Sequence, residues 1–300
     1  MSQIDLALQQ DESTTEHAYA SRSQWKMMVS RFKKNKRAMV GFWMVVFCVT
    51  VALLAPWVAP YNPVEQNMQI MLEGPSLSHP FGTDEFGRDI LSRIIHGTQI
   101  SLMTGIVGVL IAVILGVALG TISGYFGGLA DTLIMRIMDI FMAFPSFLLA
   151  LAIVSVLGPG MFNVMIAIGI FSVPTFARLS RSSVISIKDK EYIEAVKAMG
   201  GSNLHIIIKH VIPNSIAPII VLSSMRIATA IITAAGLSFL GMGAQPPTPE
   251  WGAMLSTGRE YLRVAPHVST MPGLAIMFLV LGFNMLGDGL RDALDPKMKL

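Results

Sequence analysis

The sequence predicts an all-α, polytopic membrane protein with six transmembrane helices. Three observations carry this. Apolar side chains make up 53% of the 300 residues and charged ones only 14%, against about 25% charged in an ordinary soluble domain. The mean hydropathy is +0.60. The apolar residues are gathered into uninterrupted runs of about the 20 residues a bilayer-crossing helix needs. A β-barrel is disfavoured, because its strands alternate apolar and polar over roughly ten residues, whereas these runs are apolar on every side.

The first run, Ala38 to Trp57, holds no charge and is stopped by Ala59-Pro60 and Asn62-Pro63. The second lies between Arg93 and Asp131, with its core at Ile100 to Ser123. The third extends from Thr132 to Leu157, carries Arg136 and Asp139 near its start, and ends at Gly158-Pro159-Gly160. The fourth covers Met161 to Ala177. The fifth follows Pro213-Asn214 and reaches Leu240 with Arg226 inside it; the sixth is Thr270 to Gly287. The organisation expected is a cytoplasmic segment at 1–37 followed by a membrane domain at 38–300. Its outer loops are 58–98 and 241–269, and its long inner loop is 178–213. Residues 1–21 are polar and acidic and lack the apolar core of a signal peptide, so the first helix is expected to stay as an anchor. These spans leave no room for a large soluble domain. A single cysteine, Cys48, excludes a disulfide framework within the chain and any cysteine-rich metal centre.

Cytoplasmic loops are enriched in Lys and Arg. With both termini cytoplasmic, 17 of the 22 basic residues fall inside and four outside, Arg226 being the remaining one in a span. The basic run Arg31 to Arg37 reads as an orientation signal against anionic lipid.

The inner loop carries the strongest functional signal. Asp189 is a candidate cap for a short helix, Gly200-Gly201 breaks it, Ser202 caps a second one, and Pro213 is expected to stop it. Two short helices around a glycine turn form a knob suited to a groove on a soluble partner; a plain surface linker is the alternative. Within a span, Arg226 stands near mid-bilayer, about 15 Å from Ile216 along a helix, where a charge must face protein or water. It either lines a solute pathway or pairs with Asp139 or a partner chain. Arg136 and Asp139, three apart on one helix, are expected to pair. Gly116, Gly120 and Gly124 permit close helix packing, within the fold or against a partner. Pro145 and Pro174 are candidate kinks. Asp84, Glu85, Arg88 and Asp89 read as a solvated outer loop stabilised by Arg88, with docking of another protein as its functional reading. Glu250-Trp251, after Pro246-Pro247 and Pro249, suggests a short outer helix.

Glu194-Ala195-Val196, Gly200 and Ile212-Pro213 resemble the inner-loop motif Glu-Ala-Ala-x-x-x-Gly…Ile-x-Leu-Pro of ABC importer permeases, with Val196, His210 and Ile212 departing from it. Phe81 to Asp89 with Ser92-Arg93, Gly236 to Gly252, and Phe283 to Pro296 resemble the dipeptide, oligopeptide and nickel branch, and within it the C-type permease. The resemblance covers about residues 25–300. It implies the type I ABC importer permease fold in the bacterial inner membrane. The partners it implies are a homologous permease in a heterodimer, two cytoplasmic ATP-binding subunits and an outer substrate-binding protein. The cargo would be di- or oligopeptide or glutathione, moved by alternating access. Glu194, Ala195, Ala198, Gly200 and Pro213 would then couple the pore to the ATPases, and Arg226 would face the pathway. No cofactor is implied in this chain, since the partner subunits bind ATP; the sequence holds no Gly-x-x-x-x-Gly-Lys phosphate loop. A self-sufficient secondary transporter is the alternative and would need internal repeats and buried coupling carboxylates. A membrane enzyme fits worst, with no His-Glu-x-x-His or Gly-x-Ser-x-Gly present.

Overall fold

The computed structural model describes residues 28–294. Apolar runs become helices because a bilayer offers the backbone no hydrogen-bond partners outside the helix itself. Residues 28–34 are helical. Helix α1, Lys36–Val58, then begins at Asn35, whose side chain accepts from the backbone N–H of Arg37 and Ala38. A loop with one 3-10 turn, Met68–Ile70, leads to α2, Ile90–Phe126, capped by Asp89 through the Ser92 N–H. Gly127 and Gly128, both at positive φ, turn the chain into α3, Gly128–Met142. Helix α4, Ser146–Leu157, completes this span at 92° to α3. Helix α5, Met161–Lys188, continues unbroken past Pro174. The knob helices are α6, Glu191–Ala198, and α7, Asn203–Ile206. A π-helical turn, Ile207–Val211, carries α7 into α8, Ile212–Phe239. Helix α9, Trp251–Gly258, precedes α10, His267–Leu294. Among the described residues no strand forms, and one isolated bridge joins Thr83 to Asp89.

Five of the six runs thus stand as helices long and apolar enough to cross a membrane, and the third is a pair of helices bent by 92°. Helices α2 and α5 form the spine. A side chain at Gly116 would meet the Phe176 Cβ at 2.6 Å, one at Gly120 would overlap the Ala177 carbonyl, and one at Gly124 would lie 2.9 Å from the Arg181 carbonyl. The glycine stripe therefore serves the chain's own core. One buried cluster joins α4, α5 and α8 around Val154, Ile168, Phe176 and Leu237. Another joins α1, α2, α9 and α10 around Trp251 and Leu279.

Several expectations change. The third span is broken at Ala143-Phe144-Pro145 rather than continuous, since Pro145 cannot donate to the helix. The fourth runs on to Lys188, three turns past Ala177, because its polar end continues as helix beyond the apolar stretch. Pro213 does not stop a helix; it sits in the first turn of α8, where its missing N–H costs little. Asp189 ends α5, and Lys190 stands at the start of α6 without a side-chain cap bond.

Candidate functional site: the inner knob, the intramembrane arginine and two charged clusters

The knob is anchored by what it buries. Ile193 and Ile206, one from each short helix, pack with Val184 and Ile187 of α5 and with Val211. Tyr125, at the inner end of α2, donates its hydroxyl to Asn203 Oδ1 at 3.0 Å. The turn between the helices follows from one residue. Gly200 has φ +84, its N–H bonds to the Lys197 carbonyl at 3.0 Å, and the Gly201 N–H bonds to the Val196 carbonyl at 3.0 Å. This paired closure requires a left-handed residue, the conformation glycine adopts without penalty. Gly201 is held as tightly, since a side chain there would meet the Val196 Cγ1 at 2.7 Å. Ser202 caps α7 through the His205 N–H, at 3.4 Å.

The outer face of the knob is exposed and mixed in character. Glu194, Ala195 and Ala198 all face away from the core. Met199 is 79% and Leu204 67% exposed. Glu194 forms no ion pair with Lys197 among the described residues; the Lys197 ammonium lies 5.7 Å from the centre of the Tyr125 ring instead. Pro213 is exposed at the base of the knob. Of the five predicted knob residues, Glu194, Ala195, Ala198 and Gly200 share one protrusion, and Pro213 stands where it joins the membrane helix.

Arg226 is half-buried on α8, and its Nη2 donates to the Thr175 hydroxyl of α5 at 3.1 Å. It does not pair with Asp139. Nor does Arg136, because Asp139 accepts from Arg178 Nη2 at 2.6 Å. The expected Arg136–Asp139 pair does not form because α5 presents the Arg178 guanidinium to Asp139. One turn closer to the inner end, Arg181 reaches both oxygens of Asp131, at 2.5 and 2.6 Å, and Ser123 donates to the same carboxylate. These two pairs pin the broken span to the spine around an inner cavity of about 390 Å³. The Asp131–Arg181 pair went unread in the sequence, because its partners are 50 positions apart.

On the opposite face, Asp84, Arg88, Glu85 and Arg93 form a buried cluster. Arg88 donates from Nε to Asp84 Oδ2 at 2.7 Å and from Nη2 to Glu85 Oε1 at 3.0 Å. Asp89 holds His79 Nδ1 at 2.9 Å. Arg88 ties the loop together as expected, but the cluster is buried rather than solvated, because its charges neutralise one another under the loop and α9. Burial, then the neighbouring Asp84 charge, pushes the Glu85 carboxyl above its ordinary range. Glu250 caps α9 through the Ala253 N–H at 2.8 Å, and burial raises its carboxyl too. Trp251 donates its indole N–H to the Ile94 carbonyl at 3.1 Å, locking the short outer helix to α2. Among the described residues, no group of three or more His, Cys, Asp or Glu is placed to hold a metal ion.

A helical membrane core, a tethered knob on one face and a charged clasp on the other describe a transport permease. The family described as binding-protein-dependent transport system inner membrane component matches residues 116–300, and the N-terminal membrane domain of oligopeptide transport permease C matches residues 23–75. The dipeptide transport system permease protein DppC of Alkalihalophilus pseudofirmus is 51% identical, over 95% of this chain and 93% of that protein. The glutathione transport system permease protein GsiD of Escherichia coli is 49% identical, over 93% of this chain and 92% of that protein. The fold matches an inward-facing structure of the MetNI methionine ABC transporter with a TM-score of 0.54 and 18% identity, over 69% of this chain and 98% of that one. The chain belongs to the inner-membrane components of binding-protein-dependent transport systems, as a C-type permease of the ABC importers.

Proposed function

We propose that this chain is one of two permease subunits forming the pore of an ATP-driven importer of di- or oligopeptides, glutathione included. The relatives carrying dipeptide and glutathione names support that substrate class. The single observation behind the coupling role is the knob. It is tied by Ile193, Ile206 and Tyr125 to the ends of α2 and α5, so force applied to it is delivered to the spine. Its exposed Met199 and Leu204 supply apolar anchors, Ala195 and Ala198 allow close approach, and Glu194 is free for a basic group on a cytoplasmic ATPase. ATP is bound by those partner subunits, and this chain carries no nucleotide site or cofactor of its own. Nucleotide binding draws the knobs of the two permeases together and turns the pore outward. An outer binding protein then delivers cargo to the face bearing α9. Both termini lie in the cytoplasm, in keeping with the Lys and Arg count. Arg226, on the half-buried face of α8, meets a substrate carboxylate in the pathway.

The test is reconstitution in liposomes. The chain with its partner permease, ATPases and binding protein is expected to accumulate labelled dipeptide only when ATP is supplied on the ATPase side. The chain alone is expected to move none. Uptake by the chain alone would establish a self-sufficient transporter and overturn the reading.

A further inference from the structure

The charged clasp opposite the knob encloses a cavity of about 190 Å³, between the loop that precedes α2 and the start of α9 and α10. Two of its lining groups are incompletely satisfied. The Glu85 side chain is only 8% exposed; its Oε1 accepts from Arg88, but its Oε2 has no hydrogen-bond partner. Arg93 places Nη1 on the carbonyls of Pro63 and Pro247, at 2.7 and 3.4 Å. Its Nε stands 3.4 Å from Asp84 Oδ2 and makes no hydrogen bond. One cavity thus holds a buried acceptor with no hydrogen bond and a buried donor held only by a long ion pair to Asp84.

The surrounding charge defines what fits. Asp84 and Glu85 balance Arg88 and Arg93, so a cation entering the cavity meets two guanidiniums and an anion meets two carboxylates. A neutral group with both a donor and an acceptor suits the pair, and the carboxamide of Asn or Gln is such a group. Its N–H would reach Glu85 Oε2 while its carbonyl accepts from Arg93 Nε. The other walls are apolar, among them Ile90, Pro246, Met254 and Val268, and would take the methylene stem. Exposed Phe86 and Thr257 stand at the rim.

We propose that this cavity is a docking socket for one Asn or Gln side chain of the outer binding protein. The inference rests on the importer reading, which puts that protein on this face. Ala253 lines the cavity and is half-buried, so Ala253→Leu fills the space without touching the charges. The experiment uses the whole complex in nanodiscs and measures the affinity of its binding protein. Ala253→Leu is expected to weaken docking about tenfold, the weight of one desolvated hydrogen-bonding group. Each Asn and Gln on the docking face of the binding protein is also changed to Ala. One such variant is expected to lose about tenfold against the unmodified complex and nothing further against Ala253→Leu. Thr257→Leu, at the rim, is measured in parallel in case the first variant fails to assemble by size exclusion, and the same loss is expected. Undiminished docking to the filled cavity, or additive losses for every amide variant, would show that water alone occupies it and overturn the proposal. An unmodified complex that captures no binding protein would instead count against the importer reading.

Discussion

Arg226 is held by one hydroxyl, while Arg178 and Arg181 on the neighbouring helix each have a carboxylate. A guanidinium carries five N–H donors, and placing one at the centre of a membrane helix costs about 2.5–3.5 kcal/mol on insertion scales. A single neutral bond to Thr175 does not offset that, so the remaining donors require water, a group of the partner permease or an anionic visitor. A transported peptide brings a carboxylate. Arg226→Leu is expected to reduce uptake of peptides with a free C-terminal carboxylate about tenfold and to spare C-terminally amidated ones. Equal effects on both, in transport assays on proteoliposomes, would assign Arg226 to structure alone. The arginine itself was plain in the sequence, as the only charge in its span. Its partner was not, because Thr175 lies 51 positions away on another helix.

The elements are held by how closely their backbones approach. Gly120 faces the Ala177 carbonyl so tightly that no side chain fits between them. Gly120→Leu is therefore expected to destabilise the purified protein by about 1–3 kcal/mol, the usual cost of overpacking. A lowered midpoint of thermal unfolding in detergent would register this, and an unchanged midpoint would mean that α2 and α5 do not meet there. Hydropathy located all six spans because it reports where the solvent is lipid. It does not report where the backbone stops being helical. Hence α5 continues to Lys188 although its apolar stretch ends at Ala177, and α8 begins before the proline that seemed to bar it. Pro145 marked the position of the break in the third span, but not its 92° angle. The ion pairs of Arg178 and Arg181 with α3 join residues 39 and 50 positions apart, and such contacts are invisible to local pattern. The knob turn was legible for the opposite reason: Gly200 and Ser202 act on residues within three to five positions of themselves, so the spacing alone encoded them.

At the scale of the whole molecule, two faces carry different business. The knob packs on the spine through Ile193 and Ile206 and is exposed at Met199 and Leu204. The outer clasp is sealed by its own charges and by Trp251. Such polarity suits a subunit that receives work on one side and cargo on the other. The central claim is that the knob seats in a cytoplasmic ATPase, and chemical cross-linking measures this most directly. Cys48, the only cysteine, is buried, so Ala198→Cys introduces one exposed thiol at the tip of the protrusion. In the assembled complex this thiol is expected to cross-link to an ATPase subunit and to stay unlabelled by a membrane-impermeant reagent added outside intact cells. Labelling from outside, with no ATPase captured, would contradict the account.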